Sequence, residues 1–476
     1  MSYPSQPFIN GVYRRHSSGK STQLINPATE EVFASVSSVD HGDVEAAIQG
    51  ADDAFRKGWR DLAPGRRTEI LFNIAKILRE NLETIAQWES KSIGKPIADA
   101  RDEVALGARV FEFYAGAITK FGGQTLPVSR GGFDFTLRQP MGVVAAIVPW
   151  NFPFPIACWK VAPALAAGNT VVLKPASVSP LSALVLGELA TQAGLPPGVL
   201  QVLPGSGSEI GDQLVLHPLV RKISFTGSTE VGRRIMELAS RGVKRVSLEL
   251  GGKSPNIIFA DADIDVAAKQ APMSVFGNTG QDCCARSRVF VERKVLDAFV
   301  EQFVAVTRQL KIGDPASEET QIGPLVSENQ RHSVEALIAS ASHQSRRIIN
   351  GGNRPFQKGF YLAPTIILDT DVSDRVWCEE IFGPVVCIRP FDDEAQMIEE
   401  VNASPYGLSG SIWTNDIRRA LRVARRVESG VLSINSHSSV HVEAPFGGFK
   451  QSGLGRDLGM AAMEGYTELK NIYVGE

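Results

Sequence analysis

Cysteine is scarce in this sequence, and its arrangement excludes several kinds of protein. The 476 residues contain five cysteines, an odd number without the spacing of a disulfide framework. Neither a CxxC pair nor an HExxH motif occurs, so we predict no metal site. Unpaired thiols of this kind are typical of the cytoplasm, where we expect the protein to act. The cysteines are Cys158, Cys283, Cys284, Cys378 and Cys387.

An excess of charge of either sign is also lacking. The 49 lysines and arginines nearly balance 52 aspartates and glutamates, which gives a net charge of −3. No polybasic block occurs, so we expect neither nucleic acid nor an anionic membrane surface as a partner. The first segment, MSYPSQPFINGVYRRHSSGK, has no apolar core, and a secretory signal is therefore not predicted.

No long apolar run is free of interruption. Residues 141–173 are the most apolar stretch, with Lys160 as the only charge, and they are long enough for a membrane span. Four prolines interrupt this stretch, and each removes a backbone hydrogen-bond donor. We therefore predict a buried strand, a loop and a buried helix here, and no membrane partner.

The remaining pattern is that of an α/β protein. Apolar residues at helical spacing in 43–59 and 66–93 predict a pair of N-terminal helices. From residue 142 onward, short β-rich runs alternate with helical segments, which favours βαβ units and parallel sheets. A chain of this length is expected to form more than one domain. We predict two Rossmann-like open parallel-sheet domains with a cleft between them.

Turns after three predicted strands are candidate contacts for a nucleotide. The GxGxxG fingerprint is absent, but Ser228 can cap a helix whose free N–H groups suit a pyrophosphate. Lys174 and Ser177 follow a second strand, and Gly207 ends a glycine turn after a third. Each turn alone is compatible with an ordinary capped turn. Because neighbouring parallel strands end at one crevice, together they indicate a nucleotide site.

Three segments are candidates for the chemistry. Cys283 and Cys284 are adjacent, which strains a disulfide and favours a nucleophilic thiol beside a spectator. Glu249 lies in the apolar pattern VSLEL, where burial would raise its pKa and suit a general base; an edge-strand glutamate facing water is the alternative. Asn151 lies among aromatics and prolines in PWNFPF, as an oxyanion donor or as a helix cap.

A set of motifs in this order resembles the aldehyde dehydrogenase family: PWNFP, VLKPAS, FTGSTEVG, LELGGKSPN, GQDCCA, EEIFGPV and PFGGFKQSGLGR. The resemblance extends from FINGVY at residue 8 to YTELKNIYV near the end. It implies that family's fold, including a small β oligomerisation arm, and a homodimer or homotetramer. It also implies oxidation of an aldehyde to the carboxylic acid with NAD or NADP.

The resemblance implies roles for individual residues. Cys283, two places after the glutamine of G-Q-x-C, would form a thiohemiacetal and then a thioester. Glu249 would activate the hydrolytic water, Asn151 would stabilise the oxyanion, and Lys174 would act beside them. The implied cofactor contacts are Ile147, Pro149, Trp150, Lys174, Ser177, Gly207, Phe225, Ser228, Leu250, Gln330, Glu380 and Phe382. The implied lining of the substrate tunnel is Phe152, Ile156, Trp159, Gly277, Cys284, Val440 and Phe446.

Several positions depart from patterns that are common in the family. Ser177 stands where many NAD-preferring relatives have a glutamate, so we expect NADP to be accepted as well. Trp159 replaces the arginine of succinic semialdehyde dehydrogenases, Gly277 replaces an aromatic wall, and Val440 leaves a cation cage incomplete. These residues favour a medium-sized aliphatic or aromatic aldehyde.

Asp282 is a further departure, because a carboxylate beside Cys283 would raise the pKa of the thiol. In an extended segment successive side chains point in opposite directions, which would turn Asp282 away from Cys283. Both orientations are compatible with the sequence.

The same resemblance implies the domain organisation and two alternatives. Residues 1–121 and 141–251 would bind the cofactor, 252–451 would form the catalytic domain, and 122–140 with 452–476 would form the oligomerisation arm. A CoA-acylating semialdehyde dehydrogenase of this fold is one alternative, which the presence of Glu249 argues against. An inactive nucleotide-binding protein of the same fold is the other, and the three candidate catalytic side chains argue against it.

Overall fold

The apolar runs and helical segments form two large sheets in the computed structural model, which describes residues 3–14, 20–343 and 346–475. The strands are β1 (Phe8–Ile9), β2 (Val12–Tyr13), β3 (Ser21–Asn26), β4 (Glu31–Ser37), β5 (Thr125–Leu126), β6 (Phe133–Pro140), β7 (Val143–Ile147), β8 (Thr170–Lys174), β9 (Leu200–Val202), β10 (Val220–Thr226), β11 (Arg245–Glu249), β12 (Pro255–Ile258), β13 (Arg288–Glu292), β14 (Arg347–Asn350), β15 (Thr365–Leu368), β16 (Val385–Phe391), β17 (Tyr406–Gly407), β18 (Ser409–Trp413), β19 (Val431–Ile434), β20 (Phe449–Lys450), β21 (Gly453–Leu454) and β22 (Thr467–Val474).

Helices cover both sheets, and none in the described ranges is long and apolar enough to cross a membrane. They are α1 (His41–Ala54), α2 (Pro64–Glu80), α3 (Leu82–Ile93), α4 (Ile97–Ala117), α5 (Pro153–Ala166), α6 (Leu181–Gln192), α7 (Asp212–Leu216), α8 (Thr229–Ser240), α9 (Ile264–Gln270), α10 (Met273–Phe276), α11 (Leu296–Thr307), α12 (Glu328–His343), α13 (Arg375–Cys378), α14 (Glu394–Asn402), α15 (Ile417–Arg426) and α16 (Gly459–Gly465).

The first sheet has the strand order β2-β1-β9-β8-β7-β10-β11-β21. Its five central strands are parallel, and the outer strands β1, β2 and β21 pair antiparallel. The strand order reverses between β7 and β10, so the loops that follow these two strands diverge. A crevice opens at such a reversal, at the carboxyl ends of the strands.

The second sheet has the order β14-β15-β16-β13-β12-β18-β19. All of its pairs are parallel except that between β14 and β15. The predicted α/β fold with two parallel-rich sheets is confirmed. The predicted domain boundaries remain a prediction, and β21, in the segment assigned to the arm, pairs with β11 of the first sheet.

A third, smaller sheet joins distant parts of the chain. Strand β22 pairs antiparallel with β6 along its whole length, and β5 extends the sheet by two residues. These strands lie in the segments that the resemblance assigns to an oligomerisation arm.

The N-terminal region has more helices than the predicted pair, whereas the apolar stretch forms the predicted strand and buried helix. The segment 66–93 forms two helices, α2 and α3, because the chain breaks its helical conformation at Asn81 (φ −108°). The apolar stretch 141–173 forms strand β7, helix α5 and the start of β8, and every residue of α5 is buried. Proline at the first turn of α5 is compatible with a helix start.

Candidate active site

The glycine and glutamine before the adjacent cysteines fix the segment that carries Cys283. Gly280 has a φ of +71°, and a Cβ there would lie 2.0 Å from the carbonyl oxygen of Gly383, so only glycine fits. The side-chain oxygen of Gln281 accepts a hydrogen bond from the N–H of Val326 at 2.9 Å. These contacts present Cys283 to a cavity from a fixed backbone.

The cavity beside Cys283 has a volume of about 990 Å³ and mostly apolar walls. The predicted tunnel residues on its wall are Phe152, Ile156, Trp159, Cys284, Val440 and Phe446. Wall residues that sequence reasoning did not assign to it include Glu103, Leu106, Met273, Asp282, Arg286 and Ser439.

Gly277, predicted to line the tunnel, is not among the residues on this wall, and its place in the tunnel stays a prediction. Met273 lies on the wall instead, and a Cβ at Gly277 would lie 3.9 Å from the Met273 Cε. The flexible methionine, one helical turn earlier, fills the space that a side chain at 277 would border. The position of Met273 could have been inferred from Gly277, because residues four apart lie on the same helix face.

Asn151 lies at the entrance to helix α5 and is buried. Its Nδ2 donates to the carbonyl oxygen of Gln281 at 2.9 Å, and its own carbonyl oxygen accepts from Lys95 Nζ at 3.0 Å. The N-cap of α5 is Phe152 without a side-chain hydrogen bond, so Asn151 does not cap that helix. Its amide is therefore held as a rigid donor beside the segment of Cys283.

Glu249 ends strand β11, between β10 and β21, and its side chain is 4% exposed. Neither carboxylate oxygen has a hydrogen-bond partner among the described residues. Burial raises the pKa of Glu249 well above its usual value, and the charge of Asp457 raises it further, while Lys160 opposes both effects. The alternative of an edge-strand glutamate facing water is therefore excluded, and the group suits a base.

A buried ion pair lies behind Glu249. Lys160 Nζ donates to Asp457 Oδ2 at 2.9 Å, and the two residues are 0% and 1% exposed. Lys160 also donates to Ser224 Oγ at 3.2 Å, which in turn bonds the hydroxyl of Tyr466. Sequence reasoning missed this pair, because its partners lie 297 positions apart.

Asp282 faces the nucleophile. Its carboxylate oxygen and the sulfur atoms of Cys283 and Cys284 all lie within 4.8 Å of one another. The backbone turns here, since Ala285 N donates to the Asp282 carbonyl oxygen at 3.0 Å, and the extended geometry that would turn Asp282 away is not formed. A hydrogen bond with Cys284, burial and the charge of Asp282 raise the pKa of Cys283 well above its usual value.

A second cavity, of about 590 Å³, meets the first at Cys283 and Glu249. It begins at the carboxyl ends of β7 and β10, where the crevice of the first sheet opens. The predicted cofactor residues on its wall are Pro149, Trp150, Ser228, Leu250, Gln330, Glu380 and Phe382.

The side chain of Glu380 reaches this cavity by packing against Gly251, where no Cβ blocks it. A Cβ at Gly251 would lie 2.1 Å from Glu380 Oε2, and Gly252 N donates to Oε1 at 3.0 Å. Burial raises the pKa of Glu380 to about 7. Gln330 Nε2 donates to the carbonyl oxygen of Phe382 at 2.8 Å, so Gln330 positions that phenylalanine. The cavity therefore holds a carboxyl acceptor for hydroxyl groups beside an aromatic ring.

A third cavity, of about 650 Å³, lies along the first turns of α8. Four predicted cofactor residues line it: Ile147, Lys174, Gly207 and Phe225. Burial lowers the pKa of Lys174 to about 8. Ser228 caps α8, accepting from Val231 N at 3.4 Å, and the dipole of this N-terminus suits an anion.

Ser177, predicted to contact the cofactor, is not among the residues on the wall of either nucleotide cavity. Its hydroxyl donates to the carbonyl oxygen of Gly205 at 3.0 Å, which directs the side chain to the backbone of the neighbouring turn. The two cavities nevertheless carry the groups that a dinucleotide needs: a lysine, the N-terminus of α8 and a carboxylate.

The chain matches known proteins along almost its whole length. Residues 13–472 match the model of the aldehyde dehydrogenase family. Betaine aldehyde dehydrogenase 1 of Oryza sativa subsp. japonica is 42% identical over 98% of this chain and 94% of its own, and retinal dehydrogenase 2 of Homo sapiens is 41% identical over 98% and 91%. The NAD+ complex of an aldehyde dehydrogenase from Bacillus cereus superposes with a TM-score of 0.97 at 40% identity, covering 99% of this chain and 96% of that one.

Proposed function

The chain belongs to the aldehyde dehydrogenase family, and we propose that it oxidises an aldehyde to the carboxylic acid through a covalent intermediate on Cys283. The observation that carries this proposal is that Cys283 and Glu249 border both the apolar cavity and the nucleotide cavity. An aldehyde carbon at that junction is within reach of the nucleophile and the base from one position, and a dinucleotide in the second cavity would meet it there.

The first half of the reaction forms the bond to Cys283. The thiolate sulfur adds to the aldehyde carbon, and the carbonyl oxygen becomes an oxyanion. The Nδ2 of Asn151 and the backbone N–H of Cys283 donate to that oxyanion. Because Asn151 is held by Gln281 before the substrate arrives, little reorganisation is needed when the charge develops.

NAD or NADP bound in the groove supplies the hydride acceptor for this oxidation. The N-terminus of α8 at Ser228 would hold the pyrophosphate and Lys174 the adenosine ribose. Glu380 would hold the nicotinamide ribose, and Phe382 would contact the nicotinamide. No carboxylate stands at position 177 to repel a 2′-phosphate, since that position holds a serine bonded to Gly205, and we propose on this basis that both cofactors are accepted.

The second half of the reaction hydrolyses the thioester. Glu249 takes a proton from water, which attacks the acyl carbon and releases the thiolate of Cys283. A raised pKa makes the ionised carboxyl a stronger base near neutral pH. This water-dependent step separates the proposal from transfer of the acyl group to CoA.

The cavity supports an aldehyde with an apolar body. Phe152, Trp159 and Phe446 contribute aromatic walls, and the rings of Trp159 and Phe446 lie 5.4 Å apart. Arg286 is the buried cation on this wall, but its N–H groups donate to protein oxygens such as Cys284 O and Ser411 Oγ. A medium-sized aliphatic or aromatic aldehyde therefore fits better than one with a carboxylate tail.

The small sheet of β5, β6 and β22 supports assembly with further copies of the chain, as a homodimer or homotetramer. Strands that expose apolar side chains tend to pair with another chain. The exposed apolar residues of these strands are Leu126, Phe133, Leu137, Leu469, Tyr473 and Val474. We place the enzyme in the cytoplasm because none of its five cysteines forms a disulfide.

Absorbance of the reduced cofactor across a panel of aldehydes tests the proposal. Activity is measured with NAD and with NADP, each with and without CoA, and CoA is expected to have no effect. Cys283→Ser is expected to abolish turnover, whereas Cys284→Ser keeps most of it. An inactive Cys284→Ser beside an active Cys283→Ser contradicts the assignment of the nucleophile.

A further inference from the structure

Asp282 is a second carboxyl group at the reacting sulfur. Its Oδ1 accepts from the N–H of Cys284 at 2.8 Å, which fixes the side chain in the turn. The carboxylate and the sulfur atoms of Cys283 and Cys284 form a group within 4.8 Å, and Glu249 is not part of that group. The carboxyl group beside the nucleophile is therefore Asp282, while Glu249 lies on the side of the Lys160–Asp457 pair.

We propose that Asp282 accepts the proton of the Cys283 thiol when the sulfur attacks the aldehyde, so that the two half-reactions use different carboxyl groups. This inference rests on the proposed covalent role of Cys283. A buried thiol has little thiolate at neutral pH, so a proton acceptor close to the sulfur, here within 4.8 Å, lowers the barrier to attack.

The proton and electron movements balance over the cycle. During attack the S–H bond breaks, an O–H bond forms on Asp282, and the sulfur electron pair forms the C–S bond. The carbonyl π pair moves to the oxygen, which Asn151 stabilises. When water later cleaves the thioester, the leaving thiolate of Cys283 takes the proton back from Asp282. The proton of that water goes to Glu249 and then to solvent.

The cations near Asp282 favour its ionised form, and Arg286 cannot take its place as proton acceptor. Arg286 and Lys95 both lower the pKa of Asp282, against the larger effect of burial, which raises it. Arg286 donates to the carbonyl oxygens of Cys284 and Gly410 and to serine hydroxyls, and a guanidinium cannot itself take a proton. On the thiol, Cys284 and the carboxyl group of Glu380 act in the same direction as Asp282 and raise its pKa.

The variant Asp282→Asn tests whether Asp282 accepts the thiol proton or only acts on the thiol through its charge. Asparagine keeps an oxygen for the N–H of Cys284, so the turn is expected to fold. Two quantities are measured: alkylation of Cys283 by iodoacetamide without cofactor, read from the cysteine-containing peptide by mass spectrometry, and the rate of the hydride burst in the first turnover. Asp102→Asn, on the exposed side of α4, is the matched control.

The two measurements are expected to change in opposite directions. Loss of the negative charge lowers the pKa of Cys283, so alkylation at pH 7 becomes several-fold faster. Loss of the acceptor slows the burst at pH 7 by about 100-fold, the lower end of the range for general-base catalysis, and higher pH restores it as thiolate forms directly.

Three results overturn the role of Asp282. A burst as fast as that of the wild type, or faster, means that Asp282 only suppresses the thiolate. Alkylation at an unchanged rate means that the carboxylate does not act on the sulfur. A slow burst that high pH does not restore points to a distorted site. A wild-type protein without any burst overturns the proposed function itself, whatever Asp282→Asn does.

Discussion

Replacing Lys160 by methionine removes one half of the buried ion pair and leaves Asp457 without its counter-charge. The two groups lie 2.9 Å apart at 0% and 1% exposure, so water does not replace the lost partner. Removing one partner of such a pair costs about 3–5 kcal/mol, because the remaining charge is buried and uncompensated. At roughly 2 °C per kcal/mol for a large domain, the Tm falls by about 6–10 °C.

The double variant Lys160→Met/Asp457→Asn has no buried charge at this position. It is therefore expected to be more stable than either single variant, with a coupling free energy of about 2–3 kcal/mol in the cycle. Thermal scans at one scan rate, with wild type, both single variants and the double variant, measure this. Tm losses that simply add, or single variants as stable as the wild type, would refute the reasoning.

The same ion pair also affects the pKa of the base, Glu249. Since the charge of Asp457 raises the pKa of Glu249 and that of Lys160 lowers it, Asp457→Asn is expected to shift the acid limb of deacylation to lower pH. Lys160→Met is expected to shift it to higher pH. Shifts in the same direction would contradict the electrostatic explanation.

Three further outcomes are expected. Glu249→Gln is expected to stabilise the fold above pH 5. Because the pKa of Glu249 is raised in the folded protein, the wild type has its full stability below the unfolded pKa of glutamate, about 4.3, and loses stability as the pH rises toward the folded pKa. A difference in Tm between variant and wild type that does not grow with pH argues against this. Gly251→Ala weakens NAD binding at least tenfold in calorimetry, since its Cβ would lie 2.1 Å from Glu380 Oε2, whereas Gly116→Ala, with 3.9 Å to its nearest neighbour, leaves binding unchanged. Leu469→Asp lowers the mass of the particle in light scattering, because it places a charge on the exposed face of β22; an unchanged mass excludes that face from the interface.

The sequence predicted features that depend on a local pattern. The alternation of strands and helices indicated the two sheets, and the prolines of 141–173 indicated the strands and the buried helix that this stretch forms. Glu249 was found because a charge in an apolar strand is unusual. In each case neighbouring residues carry the signal.

Features that depend on distant contacts or on backbone turns were missed. Asp457 lies 297 positions from Lys160, and no local pattern joins them. The orientation of Asp282 depends on the turn that Ala285 closes, and Met273 rather than Gly277 reaches the cavity because α10 places it there. Ser177 turns to the carbonyl oxygen of Gly205, a contact between two loops.

The central claim is that Cys283 carries the acyl group and Glu249 releases it. Glu249→Gln is mixed with an aldehyde substrate and NAD, quenched in acid after the hydride burst, and digested for peptide mass spectrometry. We expect one equivalent of reduced cofactor per active site and an acyl adduct on Cys283. Reduced cofactor with the adduct on Cys284, or with no adduct on either cysteine, would contradict it.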